Sequence, residues 1–380
     1  MFPPSATGGA PGTPPEDSRS VLNRGHDHHK GITMADIAKA AGVSQGAISS
    51  LLNDRDYGIR VSEKTRDRVF RVCREMGYVP NDLRAVVRMY PELGDFCILL
   101  STDLADIPAD PFQARVISGA LGAISGAVTV ARFTAGLDYA SADPDSLPPS
   151  IKSGTASRFL LLGGPNLSLC NTLVLRGMGV AVAGFDVALP GVTSILPDFA
   201  SASRTAVDHL FALGHTRIAI LSGPFGATDF HIIELNRGVR AAYDKASVPI
   251  EAQNIIYGDL TMANGYKALD LLISRPAPPT AVFCFDDAAA AGVIARAQSR
   301  GLKIPEDLTV IGCSDDALSS QLYPALTTIH LPAEEIGAAA AAETDLRVRE
   351  RDTFPTDAKK IVLPVRLIQR DSSGPPKAAK

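Results

Sequence analysis

The sequence predicts a small all-α unit followed by a larger α/β core with two doubly wound parallel sheets. Two patterns carry this prediction. Residues 31–80 have an apolar period typical of helices, in three short segments. From residue 93 onward, short apolar runs alternate with amphipathic stretches, which is typical of βαβ units. Several buried strands spread over about 280 residues fit two sheets better than one.

The charge of the chain is unevenly distributed. Residues 31–90 contain ten Lys or Arg and seven Asp or Glu, so their net charge is +3. Residues 1–30 are neutral, and the rest of the chain carries −7, which gives −4 overall. A basic module on a mildly acidic body is typical of a nucleic-acid-binding unit joined to a larger domain.

The composition excludes several classes of protein. No run approaches the roughly 18–20 uninterrupted apolar residues of a membrane helix. Residues 1–30 are rich in Pro, Gly and Ser and lack the apolar core of a secretory signal, so we expect a disordered tail there. The five cysteines are scattered, without a C-x-x-C pair. This argues against a disulfide framework or a structural zinc site and indicates a reducing cytoplasm; we expect no metal or cofactor.

The strongest local signal is the sequence TMADIAKAAGVSQGAISSLLN at residues 33–53. A helix-turn-helix needs two helices that cross over a tight turn, with small residues such as Ala38 where they touch. Thr33 and Ser44 are natural N-caps for the two helices, and Gly42 lies where the turn needs a positive φ. The pattern predicts DNA binding, with a buried helical hairpin as the alternative. The predicted buried positions are Ile37, Ala41, Val43, Ile48 and Leu51.

A third helix is predicted to begin after Ser62 and to end at Gly77, and Pro80 closes the unit. One face of this helix is apolar and the other is basic. A basic helix face is also typical of an ordinary solvated surface, so this face alone does not assign a DNA contact. The apolar positions are Thr65, Val69, Val72, Cys73 and Met76, and the basic ones are Lys64, Arg66, Arg68, Arg71 and Arg74.

In the core, predicted strands alternate with predicted helices. Ligands of doubly wound sheets bind beyond the carboxyl ends of the strands, so the cleft between two such lobes is the expected binding site. The predicted strands are 96–100, 128–133, 159–162, 180–184, 217–221, 281–285 and 309–313. The predicted helices are 115–124, 171–178, 203–213, 233–246, 263–273, 288–300 and 333–349.

Taken together, these segments resemble the lactose-repressor (LacI/GalR) family of bacterial transcription regulators, over residues 31 to about 374. The matching motifs follow the order of the family at nearly its spacing. They are ADIAKAAGVSQGAISSLLN, VSEKTRDRVFRVCREMGYVPN, DPF at 110–112, HLFALGHTRIAIL at 209–221, FDDAAAAG at 285–292, GLKIPEDLTVIGCSDD at 301–316, PALTTI at 324–329 and VLPVRLIQRDSSGPP at 362–376.

The resemblance implies a DNA-binding head, a hinge helix and a two-lobed core like that of type I periplasmic binding proteins. The implied divisions are the tail at 1–30, the helix-turn-helix domain at 31–80, the hinge at 81–92 and the effector-binding and dimerisation core at 93–372. Within the core, we expect lobe 1 at about 93–214 and 326–355, and lobe 2 at about 215–325 and 356–372.

The resemblance also implies which residues contact DNA. The second helix would lie in the major groove, with Gln45, Gly46 and Ser50 facing bases. Ser50 stands where the family usually has Arg, and serine cannot make the bidentate contact that reads guanine. We therefore expect an operator that differs from the commonest sequence of the family. The expected phosphate contacts are Thr33, Ser44, Ser49 and Asn53, and Met34 matches another contact position.

Two further segments depart from the family in detail. About three extra residues fall within 54–60, where Arg60 either contacts a backbone phosphate or belongs to a plain longer loop. In the hinge, the resemblance implies that Val87 enters the minor groove as an apolar wedge. Arg88 would meet phosphate, and Arg84 replaces a residue that is usually small. A helix this short is unstable alone in water, so it would depend on DNA and on a second subunit.

The effector cleft is where the match to the family is weakest. Phe112 fits the family's wall residue. Asp315 and Asp316 are further polar candidates, and a purely structural role is an equal alternative for these two and for Asp286. Because buried sugar hydroxyls need polar partners, we expect an effector less hydroxylated than a sugar, or none. The positions that sugar-binding members often fill with Arg, an aromatic residue, Asn and Asp are here Leu235, Leu260, Asp286 and Ser314.

The resulting prediction is a sequence-specific transcriptional regulator, expected to be a repressor, that binds a palindromic operator in double-stranded DNA. A homodimer is expected because one head buries too little surface for tight specific binding. A small-molecule effector, a sugar or related metabolite, would control it in the bacterial cytoplasm, at the nucleoid. The alternatives are a doubly wound enzyme, for which no nucleotide-binding or nucleophile motif is present, and an exported-type periplasmic binding protein.

Overall fold

The computed structural model describes residues 33–53, 61–76, 78, 94–100, 110–124, 131–134, 155–164, 167–227, 229–349 and 357–377. The predicted tail and hinge, and with them Arg60, Arg84, Val87 and Arg88, lie outside the described residues. The chain divides between residues 79 and 80 into two compact units, which are described separately below.

The first unit contains three helices: α1 (Met34–Ala41), α2 (Gln45–Asn53) and α3 (Glu63–Met76). Thr33 caps α1 in a reciprocal capping box with Asp36, and Ser44 Oγ accepts a hydrogen bond from the N–H of Ala47 at the start of α2. Gly42 adopts a φ of 62° between the two helices, as the turn requires. The buried side chains are Ile37, Ala38, Ala41, Ala47, Ile48, Val69, Phe70 and Cys73.

The second unit alternates strands with helices. Its strands are β1 (Asp95–Leu100), β2 (Ala131–Thr134), β3 (Ala156–Leu162), β4 (Gly179–Ala183), β5 (Val192–Pro197), β6 (Ile218–Ser222), β7 (Ile255–Tyr257), β8 (Ala281–Cys284), β9 (Thr309–Ser314), β10 (Thr327–His330), β11 (Lys359–Leu363) and β12 (Arg366–Ile368). Its helices are α4 (Pro111–Ile124), α5 (Leu167–Leu175), α6 (Phe199–Ala212), α7 (Phe230–Ala246), α8 (Met262–Ile273), α9 (Asp287–Ser299), α10 (Ala317–Gln321) and α11 (Ala333–Arg349).

These strands form two six-stranded sheets, in the orders β11-β5-β4-β3-β1-β2 and β12-β10-β9-β8-β6-β7. Every pairing is parallel except that of β12 with β10. Alternate residues of β1 face opposite sides of the first sheet: Cys97 and Leu99 pack with α5, whereas Phe96 and Ile98 pack with α4 and α11. Both faces are covered by helices, which explains the unbroken apolar strands and confirms the predicted fold class.

Facing glycines allow helices to pack backbone against backbone in both lobes. A Cβ at Gly119 of α4 would lie 1.9 Å from the carbonyl oxygen of Glu334, and one at Gly337 of α11 would lie 1.9 Å from that of Val116. The second lobe has the same arrangement. A Cβ at Gly265 of α8 or at Gly292 of α9 would lie 2.0 Å from a carbonyl oxygen of the opposite helix. No larger side chain fits at these crossings.

The predicted lobe boundaries are wrong at all three points where the chain crosses between the sheets. Helix α6 belongs to the second lobe, because Phe199 and Leu210 pack into the core around β6 rather than onto the first sheet. Strand β10 pairs with β9 in the second sheet, and β11 pairs with β5 in the first. The crossings therefore follow β5, β10 and β11, and not residues 214, 325 and 355.

Candidate DNA-binding surface and ligand cleft

In the first unit, the polar face of α2 is open while its apolar face is buried. Ala47 and Ile48 pack inward, whereas Gln45 is exposed and Gly46 and Ser49 are half-buried. The start of α1 lies beside this face. Together they form a shallow depression of about 450 Å³, lined by Thr33, Met34, Ala35, Gln45, Gly46 and Ser49.

Five of the residues predicted to contact DNA are thus brought together. Ser44 is exposed at the N-terminus of α2, and half-buried Ser50 lies on α2 outside the depression. Asn53 ends α2, and its side chain lies outside the described residues. Thr33 and Ser44 both use side-chain oxygens to cap helices, so their positions relative to the helix N-termini are fixed. Helix N-termini favour anions, so this surface could hold phosphate groups.

In the second unit, a cleft of about 620 Å³ lies between the two lobes at the carboxyl ends of the strands. The first lobe contributes residues that follow β3 and β4, with the beginning of α4. The second lobe contributes the residues after β8 and β9, with the beginnings of α7 and α8. This is the edge at which parallel strands present ligand sites.

Five of the six predicted effector residues line the cleft, and one does not. The five are Phe112, Leu235, Leu260, Asp286 and Ser314. Asp315 instead accepts hydrogen bonds from Arg370 Nη2 at 2.6 Å and His330 Nδ1 at 2.9 Å. Its φ of 59° turns the backbone, so that its neighbours Ser314 and Asp316 face the cleft. Burial opposes ionisation of Asp315, but Arg370 and His330 outweigh it and lower the pKa of this carboxyl.

Several residues that line the cleft were not predicted from the sequence. His231 lies four residues before Leu235 on α7, so the helical repeat was a signal that could have found it. Asp110 and Gln113 flank the predicted wall residue Phe112. Asp110 Oδ1 and Oδ2 accept hydrogen bonds from the backbone N–H and Nε2 of Gln113, at 3.0 and 2.6 Å. Further aromatic rings come from Phe185, Phe199 and Phe285.

The carboxyl groups of the cleft have unusual proton affinities. Asp286 caps α9, where its Oδ1 accepts a hydrogen bond from the N–H of Ala288 at 2.7 Å. Burial, together with the nearby carboxylates of Asp287 and Asp316, raises the pKa of Asp286 to about 7. Burial also raises the pKa of Asp316 to about 6. Burial lowers the pKa of His231, so this ring is neutral at pH 7.

Asp287 lies behind the cleft and braces three elements. Its Oδ2 accepts hydrogen bonds from Ser319 Oγ at 2.5 Å and from the N–H of Asp316 at 3.0 Å, and its Oδ1 accepts one from Thr328 Oγ1 at 2.6 Å. These bonds join α9 to α10, to β10 and to the loop that carries Asp316. Asp287 is fully buried, so its role is to hold the cleft loops in place.

Arg115 connects the two lobes beside the cleft. It lies on α4 of the first lobe, and its Nη1 and Nη2 donate to the carbonyl oxygens of Ser314 and Leu331, at 3.0 and 3.1 Å. Arg115 also forms a two-pronged pair with Glu334, at 2.9 and 2.8 Å. The carboxylate of Asp316 is farther away, at 3.7 Å from Nη1.

In the part of the chain that the structure describes, no group of three or more His, Cys, Asp and Glu side chains is arranged to hold a metal ion. Nor does any helix there have the length and apolar character needed to cross a membrane. All five cysteines are buried and unpaired by disulfides.

The chain matches two protein families. Residues 33–81 match the bacterial regulatory proteins of the lacI family, and residues 207–373 match the periplasmic binding protein-like domain. The HTH-type transcriptional repressor CytR of Escherichia coli strain K12 is 31% identical over 320 residues, which cover 80% of this chain and 86% of CytR. The HTH-type transcriptional regulator DegA of Bacillus subtilis strain 168 is 29% identical over 350 residues, covering 90% and 98% of the two chains.

Solved structures agree with this match. A complex of the transcriptional regulator CelR with cellobiose has a TM-score of 0.62 and 25% identity, and covers 90% of this chain and all of its own. A putative LacI transcriptional regulator from Bacillus cereus subsp. cytotoxis has a TM-score of 0.64 at 20% identity. It covers 74% of this chain and 98% of its own, and its likeness concerns the fold.

Proposed function

Because this chain belongs to the lacI family of bacterial regulatory proteins, we propose that it binds a palindromic operator as a homodimer and represses transcription. It is a DNA-binding transcriptional regulator under small-molecule control and not an enzyme. We also propose that it acts at the nucleoid, in the bacterial cytoplasm.

The observation that carries the proposal is the open polar face of α2 beside the capped start of α1. We propose that α2 enters the major groove, where Gln45, Gly46 and Ser50 meet base edges. Phosphate contacts on either side would set the register without reading sequence. The proposed phosphate contacts are Thr33, Ser44, Ser49, Asn53 and Arg60, with Met34 beside them.

A dimer is required because one head of this size makes too small an interface for tight specific binding. Two heads related by a twofold axis read two half-sites, which gives a palindrome. The segment at 81–92 would supply the hinge, with Val87 as the minor-groove wedge and Arg84 and Arg88 near phosphate.

The cleft is the proposed effector site. It lies between lobes that Arg115 connects through hydrogen bonds to Ser314 and Leu331. A ligand that changes the angle between the lobes would therefore alter these hydrogen bonds. The similar regulator CelR was solved in complex with cellobiose, and we propose that the cleft of this chain takes a small molecule.

Selection of bound genomic fragments by the full chain, followed by sequencing, tests the proposal. We expect a recurrent palindrome. Replacement Gln45→Ala should change the preferred bases at one position of each half-site, whereas Gln253→Ala, at an exposed site of the second unit, should change nothing. Uniform loss of affinity across all sequences in Gln45→Ala would contradict base contact by α2. Absence of any retained DNA would overturn the proposed function.

A further inference from the structure

We propose that the effector is an organic cation: an ammonium or amidinium group that binds between Asp286 and Asp316, on an apolar body that fills the rest of the cleft. This inference rests on the proposed role of the cleft as the effector site. It goes further by naming a ligand class that follows from the charges, the hydrogen-bond acceptors and the rings of the cleft.

The first step is the charge of the cleft. Asp110, Asp286 and Asp316 line it, and the described lining residues include no Lys or Arg. His231 does not supply the missing charge, since burial lowers its pKa. Asp286 Oδ1 accepts a hydrogen bond from the N–H of Ala288 at the start of α9, and no Lys or Arg of the described lining is its partner there. The described wall therefore carries more negative charge than positive, and a bound cation would relieve this excess.

The nearest arginine does not change this balance. Arg115 approaches Asp316 only to 3.7 Å, while it makes two hydrogen bonds of 2.9 and 2.8 Å to Glu334. One guanidinium is thus shared between two carboxylates, and the closer one is Glu334. Asp315 and its partners Arg370 and His330 form a separate cluster that does not line the cleft.

The second step is the hydrogen-bonding character of the wall. Gln113 Oε1 is buried and has no hydrogen-bond partner, while Nε2 of the same side chain donates to Asp110 at 2.6 Å. Ser314 Oγ donates to Asp316 Oδ1 at 2.8 Å. The Ser314 hydroxyl and one N–H of the Gln113 amide therefore already donate to carboxylates, while Gln113 Oε1 is left as an acceptor without a partner. A buried acceptor without a partner is costly, so the wall favours a ligand that donates hydrogen bonds.

The third step is the apolar part of the cleft. Four phenylalanine rings and several leucine side chains line it, and aromatic faces attract cations as well as apolar groups. A sugar hydroxyl accepts as well as donates hydrogen bonds, whereas the three described carboxyl groups and Gln113 Oε1 of this wall favour a ligand that mainly donates. An ammonium or amidinium ion on an apolar body would bind the carboxylates, donate to the free acceptor and pack against the rings. The rings are Phe112, Phe185, Phe199 and Phe285, and the leucines are Leu162, Leu235, Leu260, Leu318 and Leu331.

Two pairs of probes separate charge from shape. Phenethylammonium and phenethyl alcohol have nearly the same shape, as do benzamidine and benzamide, but only the first of each pair is cationic at pH 8. Binding to the full chain is measured by isothermal titration calorimetry, with cellobiose as the polyol probe. We expect at least one cation to bind about tenfold more tightly than its neutral counterpart.

Variants then locate the cation. Asp286→Asn and Asp316→Asn should each reduce the advantage of the cation to about threefold or less, whereas Asp371→Asn, at an exposed carboxylate of the second lobe, should leave it unchanged. Asp286→Asn keeps the side-chain oxygen that caps α9. Thermal unfolding of each variant establishes that it is folded.

Three outcomes overturn the inference: neither cation binds more tightly than its neutral partner, an advantage survives in both cleft variants, or cellobiose binds more tightly than the cations. Operator retention by the same preparation is measured in parallel. If the operator is retained and cations have no advantage, the ligand class is wrong and the proposed function stands. If cations bind as expected and no operator is found, the regulator proposal fails while the cleft chemistry stands.

Discussion

Arg115 on α4 donates a hydrogen bond to the carbonyl oxygen of Ser314 at 3.0 Å, from the first lobe to the last residue of β9 in the second. The same guanidinium reaches Leu331 and Glu334, at one of the three crossings between the lobes. Arg115 thus fixes the lobes beside the cleft through directional contacts that a change in lobe angle would break.

Replacement Arg115→Ala should lower the free energy of unfolding of the second unit by about 2–4 kcal/mol, because it leaves the carbonyl oxygens of the buried residues Ser314 and Leu331 without their donor. Urea denaturation measures this change. The matched control Arg240→Ala removes an exposed arginine of α7 and should stay within about 0.5 kcal/mol of the parent protein. Equal effects of the two variants would show that the Arg115 contacts are not formed in solution.

Replacement Gly119→Ala should destabilise the first lobe by about 2–4 kcal/mol or prevent its folding, because the new methyl group meets the backbone of α11. Gly122 is the control, since it lies on the same helix and a Cβ there meets nothing within 4 Å. Gly122→Ala should be neutral or stabilising by up to about 1 kcal/mol. Thermal unfolding of the pair tests the crossing, and a stable Gly119→Ala variant would contradict it.

Replacement Asp286→Asn should stabilise the second unit in alkaline solution. The pKa of Asp286 is raised from 3.8 to about 7, so between pH 4 and pH 7 the native state holds a proton that the unfolded chain has lost. Stability therefore falls as the pH rises through this window. Asparagine removes this loss, and we expect a gain of about 1–3 kcal/mol at pH 8 that vanishes near pH 4.

The control for this pH dependence is Asp371→Asn, which removes an exposed carboxylate of the same lobe. Its difference from the parent protein should not depend on pH in this range. The groups around Asp286 are Asp287 and Asp316, and Arg115 acts on the latter. A gain at pH 8 that persists at pH 4 would indicate a packing effect and not removal of a buried charge.

Replacement Ser50→Arg should create a preference for guanine at one position of each half-site, worth about 1–3 kcal/mol of discrimination. Selection and sequencing of bound DNA measures it. Ala40→Arg adds the same charge at an exposed position of α1 and should raise affinity for all sequences alike. If Ser50→Arg behaves in the same way as this control, Ser50 does not face bases.

Replacement Val87→Gly should weaken operator binding by roughly tenfold, since it removes the proposed apolar wedge while leaving the effector cleft intact. Val87→Leu keeps a wedge and should retain or improve operator binding. Gel retardation gives the operator affinity and calorimetry the effector affinity. Unchanged retardation in the glycine variant would exclude the wedge role.

The sequence predicted the first unit well because its signals are local. Thr33, Gly42 and Ser44 each determine the backbone of their immediate neighbours, and the structure has the predicted caps and turn. The lobe assignment of α6 could not be predicted in the same way. Its apolar face would suit either sheet, and the choice depends on contacts with residues distant in sequence.

Short strands and the cleft show the same limit. Strands β7 and β12 have three residues each, and β11 is an edge strand with alternating exposure, so their apolar runs were too short to recognise. The location of the cleft followed from the carboxyl-end rule for parallel sheets. The exclusion of Asp315 from the cleft did not, because it depends on a left-handed backbone at a residue that is not glycine.

The facing glycines have a mechanical consequence. Where two helices touch through their main chains, no flexible side chain separates them, so we expect the helix pair α4–α11 and the helix pair α8–α9 each to move as a rigid unit. A ligand that pushes on the cleft would then deform neither pair. We expect it to rotate one whole lobe about the three crossings, which would carry the movement to distant parts of the molecule.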